Sequence, residues 1–280
     1  MISISLQQLS TTYPIWFCDI WGVVHNGFTP FAETVATLVK HRQQGGIVIL
    51  VSNSPRSETG VARQLSEIGV APRSFDAIVT SGDVTQDLMR RIGNGKLFHL
   101  GAARDLSLFE GMGVERVAIE QASAIICTGL FHDERETPED YRDLLADLRG
   151  RNLPMICANP DKIVRKGDRL QYCAGALAKV YADMGGSVVM AGKPFGPIYD
   201  LALRKAAQLR GKTIATAEVL AIGDGPETDI LGAANQGFAC IYVSGGVRDH
   251  VEDMAAELRH IREAVPNANV LFAFDALRWT

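Results

Sequence analysis

Short apolar runs rich in β-branched residues alternate along the whole chain with amphipathic stretches of helical length. This alternation restricts the fold more than any other feature. Strands separated by a helix-length crossover pair in parallel, and the crossover helices cover the sheet. The predicted strands are Ile15–Asp19, Ile47–Val51, Ala77–Thr80, Lys96–Leu100, Ala124–Cys127, Met155–Ala158, Val188–Met190, Val219–Ile222 and Ala239–Val243. Helices are expected at 31–43, 57–68, 84–92, 137–149, 172–185, 197–209, 228–236 and 249–264. In the second of these, Val61, Leu65 and Ile68 recur at helical spacing. The stretch Val265–Thr280 reads as a final strand or turn docking on the core.

The formal net charge of −4 argues against a broad basic surface, and so against nucleic acid or an anionic membrane as partner. No segment approaches the roughly 20 apolar residues of a bilayer span. The N-terminal MISISLQQLSTTYP lacks the basic and apolar regions of a signal peptide. The five cysteines have no zinc-site spacing and lie mostly in apolar runs, which fits reduced thiols in a cytoplasmic protein.

Ligands of open parallel sheets bind beyond the carboxyl ends of the strands. The residues there are Asp19-Ile20-Trp21-Gly22-Val23, Ser52-Asn53-Ser54-Pro55-Arg56, Gly192-Lys193-Pro194 and Gly223-Asp224-Gly225-Pro226-Glu227-Thr228-Asp229. Taken singly, each has an ordinary explanation. Asp19 ends a strand as many turn residues do, Ser52 can cap a helix, Lys193 can be solvated, and Asp224 and Asp229 suit a turn and a helix first turn. Together they offer hard oxygen ligands for Mg²⁺, a cation and a hydroxyl for phosphate oxygens, and a carboxylate able to accept a phosphoryl group.

The order Asp19, Ser52, Lys193, Asp224/Asp229 resembles the four motifs of the haloacid dehalogenase (HAD) superfamily, closest to its class IIA branch of NagD-like and p-nitrophenyl phosphatases. Ser52-Asn53-Ser54, Thr80-Ser81, Asn159-Pro160-Asp161, Gly192-Lys193-Pro194-Phe195 and IGDGPETDILGAANQGF carry the likeness over nearly the whole chain. The resemblance implies an α/β fold: a Rossmann-like parallel-sheet core, residues 1–83 and 188–280, with an inserted α/β cap of the C2 type at 84–187. It implies a Mg²⁺-dependent phosphatase acting on a small phosphorylated substrate. Asp19 would be the nucleophile. Asp19, the backbone carbonyl of Trp21, Asp224 and Asp229 would form the metal site. Ser52, Asn53 and Lys193 would hold the phosphoryl group. Asn159, Asp161 and the Gly-rich turn at 174–176 would read the leaving group, and a homodimer is possible by analogy.

One position departs from the pattern. HAD phosphatases carry Asp-x-Asp in the first motif, and the second Asp protonates the leaving oxygen. Here that position is Trp21. Indole cannot serve as an acid or base, a function worth roughly 10²–10⁴-fold. His25 is the nearest titratable candidate, though a purely local role in its loop is the simpler reading. Two further readings follow: a substrate that needs little acid help, or a phospholigand-binding protein with slow or no turnover. A dehalogenase fits poorly because it needs no metal carboxylates. A dinucleotide site fits poorly because Gly223-x-Gly225-x-x-Thr228 lacks the third glycine.

Overall fold

The computed structural model describes residues 5–92, 95–166, 169–244 and 253–279. In chain order its strands are β1 Ile15–Cys18, β2 Ile47–Ser52, β3 Ala77–Thr80, β4 Lys96–Leu100, β5 Glu115–Arg116, β6 Ala124–Cys127, β7 Met155–Cys157, β8 Ile163–Lys166, β9 Arg169–Tyr172, β10 Val188–Met190, β11 Val219–Gly223, β12 Ala239–Val243 and β13 Asn269–Phe274. The α-helices are α1 Leu6–Thr12, α2 Ala32–Gln43, α3 Glu58–Ile68, α4 Ser81–Ile92, α5 Arg142–Gly150, α6 Ala174–Asp183, α7 Gly196–Arg210, α8 Leu231–Gln236 and α9 Met254–Ala264. No helix among the described residues is long and apolar enough to cross a membrane.

The chain forms two compact units. The first comprises Met1–Ser52, Val61–Val79 and Lys193–Thr280; the second comprises Asn53–Gly60 and Thr80–Gly192. The first unit holds a six-stranded sheet in the order β13-β12-β11-β1-β2-β3. Its pairs β1–β11, β1–β2, β11–β12 and β12–β13 are parallel. This is the Rossmann order, in which the direction of winding reverses between β1 and β11. Every residue of β1, β11 and β12 is buried. A parallel sheet covered on both faces demands such continuous apolar strands, and this is why the sequence shows unbroken runs there. On one face Trp16, Cys18, Val48, Leu50, Leu220 and Ile222 pack into a common core with Leu38, Val61 and Leu65 from the helices. Within it the Trp16 and His41 rings stack 3.8 Å apart, and His41 Nδ1 lies 2.6 Å from the Ser10 hydroxyl.

The second unit is built on a parallel five-stranded sheet in the order β10-β7-β6-β4-β5, plus the antiparallel hairpin β8–β9. One sheet face packs Ile125, Cys127, Met155 and Cys157 against Leu145 and Leu148 of α5 and Leu177 and Tyr181 of α6. The other packs Leu97, Ile126 and Ile156 against Met89, Leu108 and Phe109. All five cysteines are buried and free.

Several expectations need correction. The boundary at 187/188 assigned Val188–Met190 to the core, but β10 pairs with β7, Val188 beside Met155, and the second unit runs on to Gly192. Likewise Asn53–Gly60 and Thr80–Asp83 belong to the second unit. The partner of a three-residue strand is a long-range choice that its own residues do not encode. The expected turn at 174–176 is the first turn of α6. The hairpin β8–β9 and helix α1 were not anticipated, although the Ser5–Gln8 capping box of α1 is a readable start signal. Of the helix expected at 249–264, residues 249–252 lie outside the described residues.

Candidate active site

Three adjacent strand ends assemble the site in the first unit. β1 is hydrogen-bonded on one side to β11 and on the other to β2, with Cys18 level with Ile222 and with Leu50. The residues that follow therefore emerge side by side. Asp19 donates its backbone N–H to the Ile222 carbonyl at 2.8 Å, which fixes its position at the point where the sheet reverses direction. Ser52 is the last residue of β2. Asp224 follows β11, and the chain then enters a π-turn, Pro226–Ile230, that leads into α8. Such wide turns concentrate at functional sites because they re-aim a side chain. Here the turn brings Asp229 back towards the strand. Its carboxylate accepts from Gly225 N–H at 3.1 Å and from the Thr228 hydroxyl at 3.3 Å. Gly223 permits this return: a Cβ there would lie 2.1 Å from Asp229 Cγ.

Asp19, Asp224 and Asp229 each present a carboxylate oxygen within 4.8 Å of the others. Asp19 and Asp229 are 7% and 6% exposed, and Lys193, 3% exposed, lies between them. Its ammonium donates to Asp19 Oδ1, to Asp229 Oδ1 at 2.8 Å and to the Val51 carbonyl at 3.1 Å. Three carboxylates and one ammonium carry a formal charge of −2 when all are ionised, and two of the three carboxylates are buried. Burial pushes the Asp19 carboxyl well above its usual range; Lys193 opposes the shift, and Asp229 and Asp224 add to it. Desolvation would lower the Lys193 ammonium, but the Asp19 and Asp229 charges outweigh it and hold the group well above the ordinary lysine value. A donor set of hard oxygens with two uncompensated charges suits a divalent cation of the Mg²⁺ or Ca²⁺ kind.

Trp21 packs its indole onto the loop that follows. The ring meets His25 edge-on at 5.4 Å between centroids and lies over Gly27, where a Cβ would be 2.4 Å from Cη2. Gly27 adopts φ +95°, a conformation that disfavours other residues. His25, 2% exposed, accepts the Gly27 N–H on Nδ1 at 2.8 Å, and its carbonyl accepts from Gly22 N–H at 2.9 Å. Burial pulls its imidazole down to about 4. Sequence reasoning singled out Trp21 and His25 separately. It missed their common seat, although Gly27 in the next turn was the available signal.

Asn53, Asn159 and Asp161 lie in the second unit, where the structure ties them to one another. Asn53 Nδ2 donates to Asp161 Oδ1 at 2.8 Å, and Asn159 Oδ1 accepts from the Asp161 N–H at 3.0 Å. The first bond joins the segment after β2 to the loop after β7, 108 residues apart in the chain.

The comparisons with known proteins agree with this architecture. The family model described as haloacid dehalogenase-like hydrolase matches residues 16–115, and one described as HAD-hydrolase-like matches residues 190–268. Among curated proteins none matches the chain significantly. Among solved structures, a hydrolase of the haloacid dehalogenase-like family from Brucella suis 1330 is 45% identical, with a TM-score of 0.86 over 99% of this chain and 100% of that one. A 4-nitrophenylphosphatase from Thermotoga maritima shares the fold at 22% identity and TM-score 0.75, covering 97% of each chain. NagD from E. coli K-12 does so at 21% identity and TM-score 0.70, covering 95% of this chain and 97% of that one. The chain therefore belongs to the haloacid dehalogenase-like hydrolase family, with the core-and-cap fold of its NagD-like class IIA branch.

Proposed function

We propose that this hydrolase is a Mg²⁺-dependent phosphoric monoester hydrolase acting on a small phosphorylated metabolite. The observation that carries the reading is the triad of carboxylates at the sheet's reversal point, with Lys193 bonded to two of them. Asp19 is the nucleophile. Its carboxylate oxygen attacks phosphorus, the bond to the leaving oxygen breaks, and an aspartyl-phosphate results. Water then attacks that phosphorus, the bond to Asp19 breaks, and inorganic phosphate is released.

Lys193 screens Asp19 from Asp229 and supplies positive charge to the incoming phosphoryl oxygens. The Ser52 hydroxyl, at the neighbouring strand end, donates to one of them, with Asn53 next to it in the chain. Asp19, Asp224, Asp229 and the Trp21 carbonyl are the residues that would hold the cation. When bound, Mg²⁺ supplies charge neutralisation at the phosphoryl oxygens. Asp229 also fixes Lys193 through their 2.8 Å bond. We place the protein in the cytoplasm and assign the inserted second unit the role of reading the leaving group.

A second reading is supported by one observation, an indole at Trp21 two residues after Asp19, packed on His25 and Gly27. It is a protein that binds a phosphorylated ligand without useful turnover. A panel of sugar phosphates, nucleotides and aryl phosphates, assayed for inorganic phosphate with Mg²⁺ and with EDTA, separates the two. Turnover that needs Mg²⁺ and is lost in Asp19→Asn supports the hydrolase. Wild type and Asp19→Asn that are equally inert yet both bind phosphorylated ligands support the second reading.

A further inference from the structure

We infer that the substrate carries a leaving group that departs as a stable anion, an aryl, enol or acyl phosphate rather than an alkyl phosphate, and that Trp21 sets this restriction. The inference rests on the phosphatase reading above and narrows it.

Among the described residues of the first unit, the proton-bearing groups around Asp19 are few and engaged. Lys193 directs its N–H groups to Asp19, Asp229 and the Val51 carbonyl. Asp224 and Asp229 belong to the carboxylate cluster that suits a cation. Tyr199 aims its hydroxyl at Gly232, where a Cβ would meet the oxygen at 1.9 Å. His25 has Nδ1 engaged by the Gly27 N–H and its ring against the indole. Trp21 has an indole N–H, a hydrogen-bond donor with no useful acidity.

The loop is also built for the indole. A glycine at φ +95° admits the ring where any Cβ would overlap it, and the His25 ring backs it edge-on. The His25 backbone and ring close the turn through Gly22 and Gly27. The loop thus has a dedicated aromatic seat, and no carboxylic acid comes from Trp21, the second residue after the nucleophile.

The chemistry follows. As Asp19 Oδ bonds to phosphorus, the electron pair of the breaking P–O bond goes to the leaving oxygen. With no acid at Trp21, and none supplied by the described residues of the first unit around Asp19, that oxygen leaves as an anion and takes its proton from solvent afterwards. An aryloxide, enolate or carboxylate tolerates this, whereas an alkoxide does not.

The test measures kcat/KM for a series of substituted phenyl phosphates of increasing phenol acidity, together with simple alkyl phosphates, using the full chain with Mg²⁺. The expected result is a steep rise with leaving-group acidity. Alkyl phosphates should fall at least about 100-fold below nitrophenyl phosphate, the low end of what a positioned general acid contributes. Trp21→Phe should keep the slope. Trp21→Asp should raise alkyl-phosphate turnover by about 10-fold or more and flatten the slope. The wild-type series decides the matter even if Trp21→Asp does not fold. A flat series, with alkyl and aryl phosphates within about 10-fold of each other, overturns the inference and leaves the phosphatase reading intact. No turnover of any member, in wild type as in Asp19→Asn, overturns both.

Discussion

Replacing Lys193 by Met tests whether the carboxylate cluster is built around a cation. Lys193 is 3% exposed and its ammonium lies 2.8 Å from Asp229 Oδ1, besides its bond to Asp19. The gross attraction across that 2.8 Å contact is roughly 6 kcal/mol at an effective dielectric of about 20. Desolvation of the buried groups offsets much of it. Removing one member of a buried ion pair costs about 3–5 kcal/mol, because the remaining charge is left uncompensated. In Lys193→Met the cluster keeps three carboxylates and its formal charge, with all of them ionised, moves from −2 to −3. Urea unfolding in EDTA should therefore show a loss of about 3–5 kcal/mol. Saturating Mg²⁺ should then help the variant more than the wild type, since the metal replaces the missing positive charge. Each protein is stabilised by RT ln(1 + [Mg²⁺]/Kd), so the gap should narrow by about 1.4 kcal/mol for every tenfold by which the more negative cluster binds Mg²⁺ more tightly. Tryptophan fluorescence is a suitable probe, because Trp16, Trp21 and Trp279 all belong to the first unit. An equal gap between wild type and variant with and without Mg²⁺ would refute the reasoning.

Other expectations concern the loop, the core and the chemistry. Gly27→Ala places a methyl 2.4 Å from Trp21 Cη2 at φ +95°, and should cost about 1–3 kcal/mol and shift tryptophan emission. Combining it with Trp21→Ala should recover the overlap part of that loss, and strict additivity of the two changes would contradict the seat. Burial in the core beside Trp16 lowers the His41 imidazole from 6.5 to about 4. Its stabilising effect is therefore complete above pH 6.5 and is lost as pH falls towards 4, by about 3 kcal/mol. Urea midpoints between pH 7.5 and 4.5 should fall more steeply for wild type than for His41→Gln, and equal slopes would remove His41 as the cause. Dephosphorylation also lacks an acid–base partner at Trp21, so rapid mixing with nitrophenyl phosphate should give a burst of nitrophenol. Acid quenching should trap phosphate on the wild type and not on Asp19→Asn, and a linear time course with no trapped phosphate would argue that the second step is fast.

Much of the candidate site could be read in the sequence because each of its pieces is local. An apolar run followed by Asp19, Ser52 or Asp224 announces a strand and the residue at its carboxyl end. Parallel pairing of β1 with β2 and β11 then brings those ends together. Lys193 was readable as a charge complementary to the acids, but its bond to the Val51 carbonyl was not. Nor was the 2.8 Å bond between Asn53 and Asp161, whose partners come from loops 108 residues apart.

The sequence by itself determined most of the element types, the parallel character of the two larger sheets and the residues at their strand ends, since hydrophobic periodicity and turn chemistry act over a few residues. Tertiary structure alone decided which sheet β10 joins, because its three residues pair as well with one neighbour as another until long-range packing chooses. It also decided the return of Asp229 over Gly223 and the seating of Trp21 on His25 and Gly27. Those are contacts between surfaces formed only after the backbone has folded, which no local pattern of residues encodes.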